Sequence, residues 1–187
     1  MDESIDSSKR HFVQTGLFAS GLLLANPSLA LAGGLGRQPK MKELAFRNLH
    51  TDEQLRVTYW KNGSYDRGAL SRIHRIMRDF RTGDVFPISA NLIDLLHDLQ
   101  AKMRTDATIE IISGYRSPKT NAMLVNNSDG VAKRSYHMRG LATDIRMSSV
   151  PLRKIQTTAL FMKRGGVGFY PNSDFVHVDV GPVRHWG

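Results

Sequence analysis

Three side chains in the C-terminal half of this sequence have the chemistry to hold one metal ion: His137, Asp144 and His177. Histidine nitrogen and aspartate oxygen each approach zinc at about 2.0–2.2 Å, and a catalytic zinc takes three such protein ligands with one position left for water. The segment Ser135-Tyr136-His137-Met138-Arg139-Gly140-Leu141-Ala142-Thr143-Asp144 sets an imidazole just before an apolar strand and a carboxylate within it. Gly140 opens the connecting turn to backbone angles closed to other residues. His177 lies in the run Phe175 to Val180, where the period of two puts Phe175, His177 and Asp179 on one face and Val176, Val178 and Val180 on the other. The valines mark the core side.

Each of the three also has a plainer explanation. A single histidine in a strand is commonly a structural or surface residue. A carboxylate in an apolar strand needs a cation, hydrogen-bond donors or a metal, and an ion pair with Arg146 would satisfy Asp144. The chain has no cysteine, which removes disulfides, thiolate zinc sites and cysteine nucleophiles. Any metal must therefore be held by nitrogen and oxygen.

The elements that would position these groups can be read from periodicity and punctuation. Lys42 to Tyr59 carries short apolar alternations expected to form a strand or two, and Lys61-Asn62-Gly63-Ser64 is a turn. From Asp66 to Phe80 the residues Leu70, Ile73, Ile76, Met77 and Phe80 recur at helical spacing. Ser89 is placed to cap a second helix with the inner stripe Leu92, Leu95, Leu96, Leu99 and Met103. Thr108 to Ser113 is expected to be a strand and Pro118 to Met123 a short helix, followed by a polar loop through Asn126, Asn127, Asp129 and Gly130. Leu141 to Met147 predicts a strand, Ser149 and Pro151 the start of a helix reaching Met162, and Val167–Tyr170 and Phe175–Val180 two strands around the Pro171–Asp174 turn. Helices come first and strands gather later. That segregation predicts an α+β single domain with a largely antiparallel sheet packed with helices.

Length and composition bound the remainder. At 187 residues and 41% hydrophobic content there is room for one ordinary domain with a real core. The net charge of +9 predicts attraction to polyanions, without choosing among nucleic acid, anionic lipid and wall polymer. The N-terminus narrows that choice: Lys9, Arg10 and His11 precede the apolar run Phe12 to Ala25, and Ala30-Leu31-Ala32 fits an A-x-A cleavage site. Residues 1–32 are thus expected to be a cleaved signal peptide, 33–41 a flexible lead-in and 42–187 the functional domain. The stretch Ser8-Lys9-Arg10-His11-Phe12-Val13 is similar to a twin-arginine signal with lysine for the first arginine. The mature protein is expected to lie in the periplasm or otherwise outside the bacterial cytoplasm, with no transmembrane segment. Export also opposes a nucleic-acid partner.

A resemblance joins these features. Ser113-Gly114-Tyr115-Arg116-Ser117, Ser135-x-His137-x-x-Gly140-x-Ala142-x-Asp144, Gly165-Gly166-Val167-Gly168-Phe169-Tyr170 and Phe175-Val176-His177-Val178-Asp179-Val180-Gly181, ending in Arg184-His185-Trp186, resemble the zinc D-Ala-D-Ala metallopeptidase and hedgehog-fold superfamily. Within it they are similar to the murein endopeptidase K (MepK) group, as are Tyr65-x-x-Gly68-Ala69-Leu70 and Arg78-Asp79-x-Arg81-Thr82-Gly83. The resemblance covers nearly the whole mature chain. It implies one zinc ion per chain on His137, Asp144 and His177, Arg116 facing the substrate to stabilise an oxyanion, and Ser113, Tyr115 and Ser135 orienting substrate or ligands.

For proton transfer it leaves two carboxylates. Asp174 stands three residues before His177, where some relatives carry glutamate, and Asp179 completes a His-x-Asp pattern on the strand face of His177. Asp179 is the favoured one, either as base or as the group that orients a ligand, and His185 is a weaker third. The implied activity is hydrolysis of peptide cross-links between peptidoglycan stem peptides. A carboxypeptidase or dipeptidase acting on D-Ala-D-Ala ends is the alternative enzyme, and a non-catalytic zinc module binding wall polymer the alternative from another class.

Overall fold

The computed structural model describes residues 40–127 and 131–187. The expected signal peptide, most of the lead-in, and Asp129 and Gly130 of the polar loop lie outside the described residues. Strand β1 (Met41–Asn48) begins one residue before the expected domain start. It turns into β2 (Gln54–Lys61), and the pair register antiparallel with Leu44 opposite Val57. Asn62 and Gly63 both adopt positive φ, the geometry of a tight hairpin turn, and lead into the two-residue β3 (Ser64–Tyr65).

Helix α1 (Arg67–Ile76) is capped by Asp66, whose carboxylate accepts a hydrogen bond from the Ala69 amide at 2.7 Å. It buries Ala69, Ile73 and Ile76 and stops four residues short of the periodic pattern that runs on to Phe80. The cause is tertiary. The Met77 carbonyl accepts from the Tyr115 amide at 2.6 Å, and the Asp79 carboxylate turns back to accept from the amides of Arg81 and Thr82. Side-chain capture of backbone donors competes with helix continuation.

Helix α2 (Ala90–Met103) buries the whole predicted stripe together with Ile93. Ser89 is its N-cap by position, yet its hydroxyl makes no capping bond. Its amide donates instead to the Gly140 carbonyl at 2.9 Å, tying the helix entry to the site segment. Strand β4 (Ile109–Ser113), helix α3 (Pro118–Asn127), strand β5 (Ala142–Arg146), helix α4 (Leu152–Met162) and strands β6 (Gly166–Tyr170) and β7 (Phe175–Asp179) follow, with a terminal β8 (Arg184–Trp186) that the periodicity was too short to announce. Helix α3 runs four residues past its expected end at Met123 and takes in Asn126 and Asn127.

These strands form one sheet in the order β3-β2-β1-β4-β5-β7-β6-β8. Pairs β1/β4 and β6/β8 are parallel and the others antiparallel, so the architecture is α+β with a mixed, mainly antiparallel sheet. Leu44, Phe46, Ile109, Ile111, Ile145, Val176 and Val178 face Ile73, Leu92, Leu96, Leu99, Ile155 and other side chains of α1, α2 and α4 in one core. Each such side chain taken fully from water contributes roughly 1.5–3 kcal/mol. The opposite face of β5 and β7 is left for the polar site. No helix of the described residues is long and apolar enough to cross a membrane.

Candidate metal centre

Registry across the sheet aligns the site. Ser113 pairs with Asp144, Asp144 with His177, His177 with Gly168 and Gly168 with Trp186, a single row across β4, β5, β7, β6 and β8. Directly opposed residues of neighbouring strands place their side chains on the same face. His137 reaches this row from outside the sheet, on a 3-10 turn (Tyr136–Arg139). Ser135 starts that turn with its hydroxyl accepting from the His137 amide at 3.3 Å. Gly140 ends it at φ 63°, so close to the chain that a Cβ would stand 2.1 Å from the Pro87 carbonyl oxygen.

The three predicted ligands meet. His137 Nε2 lies 3.3 Å and His177 Nδ1 2.8 Å from Asp144 Oδ1, and the two ring nitrogens are 3.2 Å apart. All three residues are buried. Metal–ligand bonds of about 2.0–2.2 Å in a tetrahedron give ligand–ligand edges of about 3.3–3.6 Å; the separations of 3.3 and 3.2 Å approach that range, and the 2.8 Å contact between Asp144 and His177 is a hydrogen bond that a metal would have to open. Tautomers agree with that use. His137 Nδ1 is 2.8 Å from the Gly114 carbonyl, which can only accept, and His177 Nε2 is 3.1 Å from Asp179 Oδ2. Each ring thus spends its N–H outward and turns its other nitrogen to the shared centre. With both N–H groups directed outward, two ring nitrogens and a carboxylate oxygen face one point, and the residues fit a divalent metal such as zinc.

Electrostatics say the same. Burial alone would raise the Asp144 pKa, but His137 and His177 outweigh it and hold the carboxyl well below the usual range. Burial alone would lower that of His177; its hydrogen bonds to Asp144 and Asp179 prevail and raise it to about 9. Without metal, a proton supplies the positive charge.

The Arg146 alternative for Asp144 does not occur, because Arg146 bonds Glu110 and Asp174, each at 2.6 Å. Arg116 stands beside Asp144 instead, with Nη2 3.8 Å from Oδ2 and 3.5 Å from the Ser113 hydroxyl. Burial draws the Arg116 pKa down and Asp144 opposes that shift.

Asp179 is completely buried and fully occupied. Its oxygens accept from His177, from the amides of Gly166 and Gly181, and from Arg184 at 2.7 Å. These donors outweigh burial and hold its carboxyl well below the usual range. It meets His177 on the ring edge opposite to the one Asp144 meets. Asp174 caps a second 3-10 turn (Pro171–Ser173) at φ 54°, with its side chain 61% exposed. Tyr115 is buried and stacks on Phe86 at 4.8 Å, while Ser135 is buried beneath His137. Of the three residues expected to face substrate, only Ser113 touches the side chains of the site. His185 points to the other face of β8 from Trp186.

Several contributors escaped the sequence. Arg184 neutralises Asp179, and the Gly114 carbonyl orients His137. Asp79, only 2% exposed, accepts from the Ser117 amide at 2.8 Å and so ties the Arg116 loop to the end of α1. A buried aspartate in a polar Arg-Asp-x-Arg-Thr-Gly string looks like a turn former until the loop it binds is known.

A buried His-Asp-His centre with a guanidinium at its edge, carried on an α+β sheet, is the arrangement of a metal-dependent hydrolase. Comparison with known proteins gives the family. Residues 37–186 match the family described as "Peptidoglycan L,D-endopeptidase MepK". The chain is 40% identical over 184 residues to the "Probable peptidoglycan L,D-endopeptidase MepK" of Haemophilus influenzae, covering 97% of both chains. It is 37% identical over 185 residues to the "Peptidoglycan L,D-endopeptidase MepK" of Escherichia coli, covering 98% of this chain and 100% of that protein. No solved structure matches. The chain belongs to the MepK peptidoglycan L,D-endopeptidase family, a family of peptidoglycan hydrolases.

Proposed function

We propose that this protein is a zinc-dependent endopeptidase that hydrolyses peptide cross-links of peptidoglycan in the bacterial envelope. The observation that carries this reading is the convergence of His137 Nε2, Asp144 Oδ1 and His177 Nδ1 with both imidazole tautomers set from behind. Zinc held there supplies Lewis acidity and a water of lowered pKa. The names of the relatives support a cross-link ending in an L,D bond as the substrate.

The protein's own groups divide the remaining work. Arg116 carries positive charge beside Asp144 and stabilises the oxyanion that develops on the scissile carbonyl. Ser113 steadies its guanidinium. Asp179, saturated by donors, positions His177 and is itself steadied by Arg184. Of the two carboxylates Asp174 alone keeps exposed oxygens, and it takes the role of relaying a proton from water to the leaving amine, with Arg146 as its ion-pair partner. Tyr115 and Ser135 set the two loops rather than contact substrate.

Incubating the mature domain with purified cross-linked muropeptide dimers and weighing the products tests this assignment. Conversion of dimers to monomers supports endopeptidase action. Loss of terminal alanine from monomers, with dimers intact, would instead support the carboxypeptidase reading. Arg116 beside Asp144 has no evident use in a module that only binds wall polymer.

A further inference from the structure

The proposed reaction leaves unexplained a group of aromatic side chains at the end of the sheet. Trp186, the penultimate residue, lies flat over Gly168: a Cβ there would come within 2.7 Å of the indole Nε1 and Cε2. Its ring stands against the His177 imidazole, with centroids 5.2 Å apart. The indole Nε1–H donates to the Tyr170 hydroxyl at 2.8 Å. Tyr170 stacks on Phe175 at 4.5 Å, which fixes the phenol ring, and it remains 36% exposed. On β6, Tyr170 is two residues from Gly168 and so faces the same side of the sheet as His177. Arg116 borders the same row of the sheet at Asp144, which registers with His177 as His177 does with Gly168.

Hydrogen-bond accounting gives this group a direction. A phenol has one donor and two acceptor sites, whereas an indole N–H can only donate. Trp186 therefore occupies an acceptor site of Tyr170 and leaves the phenolic proton to be given to something else. We infer that Tyr170 is a substrate-facing hydrogen-bond donor, acting with Arg116 on the scissile carbonyl or its neighbour, and that Trp186 is its positioning residue. This rests on the proposed peptidase reading. It also gives Gly168 a reason, since any larger residue would lift the indole away from both Tyr170 and His177.

Tyr170→Phe keeps the stack on Phe175 and removes only the hydroxyl. The expected result on cross-linked dimers is a fall in kcat of about 10²-fold, the scale of losing one oxyanion donor, with KM and zinc content unchanged. Trp186→Phe keeps a ring over Gly168 and removes only the N–H. It is expected to lower kcat less, and Tyr170→Phe/Trp186→Phe together to be no slower than Tyr170→Phe alone, because the indole acts through the phenol. A readout free of turnover is affinity for a phosphinate pseudo-dipeptide, measured by calorimetry and expected to weaken about tenfold in Tyr170→Phe. Wild-type kcat and wild-type phosphinate affinity in Tyr170→Phe would overturn the inference, as would multiplicative losses in the double variant. If wild-type protein cleaved no dimer, the peptidase reading would fail, and phosphinate binding would still decide the role of Tyr170.

Discussion

Asp179 holds His177 from behind, its Oδ2 3.1 Å from Nε2 while Asp144 meets Nδ1 on the opposite edge of the same ring. A carboxylate so placed raises the basicity of a ligand and fixes its tautomer without touching the water to be activated. Asp179→Asn is therefore expected to weaken zinc affinity by about 10–100-fold and to leave activity at saturating zinc largely intact. Competition with a colorimetric chelator measures the first and dimer hydrolysis the second. Loss of activity at full zinc occupancy would make Asp179 the base.

Asp174→Asn should do the reverse. With an exposed side chain and no contact with the three ligand residues, Asp174 has no route to the metal affinity, but removing its carboxylate should lower kcat by about 10²-fold or more. A variant with unchanged kcat would return the proton transfer to another group.

Metal uptake should depend on pH with a known sign. The His177 pKa is raised from 6.5 to about 9 in the metal-free fold, so the stability it adds is complete below 6.5 and is lost as pH rises through about 9. Zinc must displace that proton. Apparent zinc affinity should consequently rise by about tenfold per pH unit between roughly pH 7 and 9, then level off. Calorimetric titrations in buffers of different ionisation enthalpy would count the proton released, and a pH-independent affinity would contradict the linkage.

How far the sequence could show this site depended on where each constraint arises. The candidate cluster was legible because metal chemistry demands particular residue types, and strand alternation places His177 and the valines on opposite faces without reference to anything distant. The α2 stripe was legible for a like reason, each member being buried by helical period alone. The end of α1 was not, since it depends on Asp79 and Met77 meeting the loop of Ser117 and Tyr115 some forty residues away. The setting of Ser135 was hidden for the same reason: that its hydroxyl accepts from the His137 amide is decided by the turn that brings the two together. Strand β8 was too short to show a period, and with it the pairing of Arg184 and the seat of Trp186 stayed hidden.

The Ser135 assignment has its own check. Ser135→Ala removes the cap of the turn that carries His137 and should cost about 1 kcal/mol of stability, read by denaturant unfolding, with KM for dimers unchanged. A rise in KM at constant stability would restore the serine to the substrate.

Asp79→Asn should be costlier. The variant turns one of two amide-accepting oxygens into a donor within a buried cluster of N–H groups, and loss of hydrogen bonds to a charged acceptor costs about 1.5–3 kcal/mol. Because Ser117 is among those donors, kcat should fall with stability as Arg116 loses its register. Asp79→Asn with wild-type stability and kcat would show that the loop is held by other contacts.

The central claim is that His137, Asp144 and His177 hold the metal on which peptide hydrolysis depends, and stepwise reconstitution tests it most directly. Protein stripped by chelation would be titrated with zinc while dimer cleavage is followed, alongside Asp144→Asn treated in the same way. The account predicts no cleavage without metal, recovery that saturates at one zinc per chain, and no recovery in the variant. Cleavage by the stripped protein, or full recovery in Asp144→Asn, would contradict it.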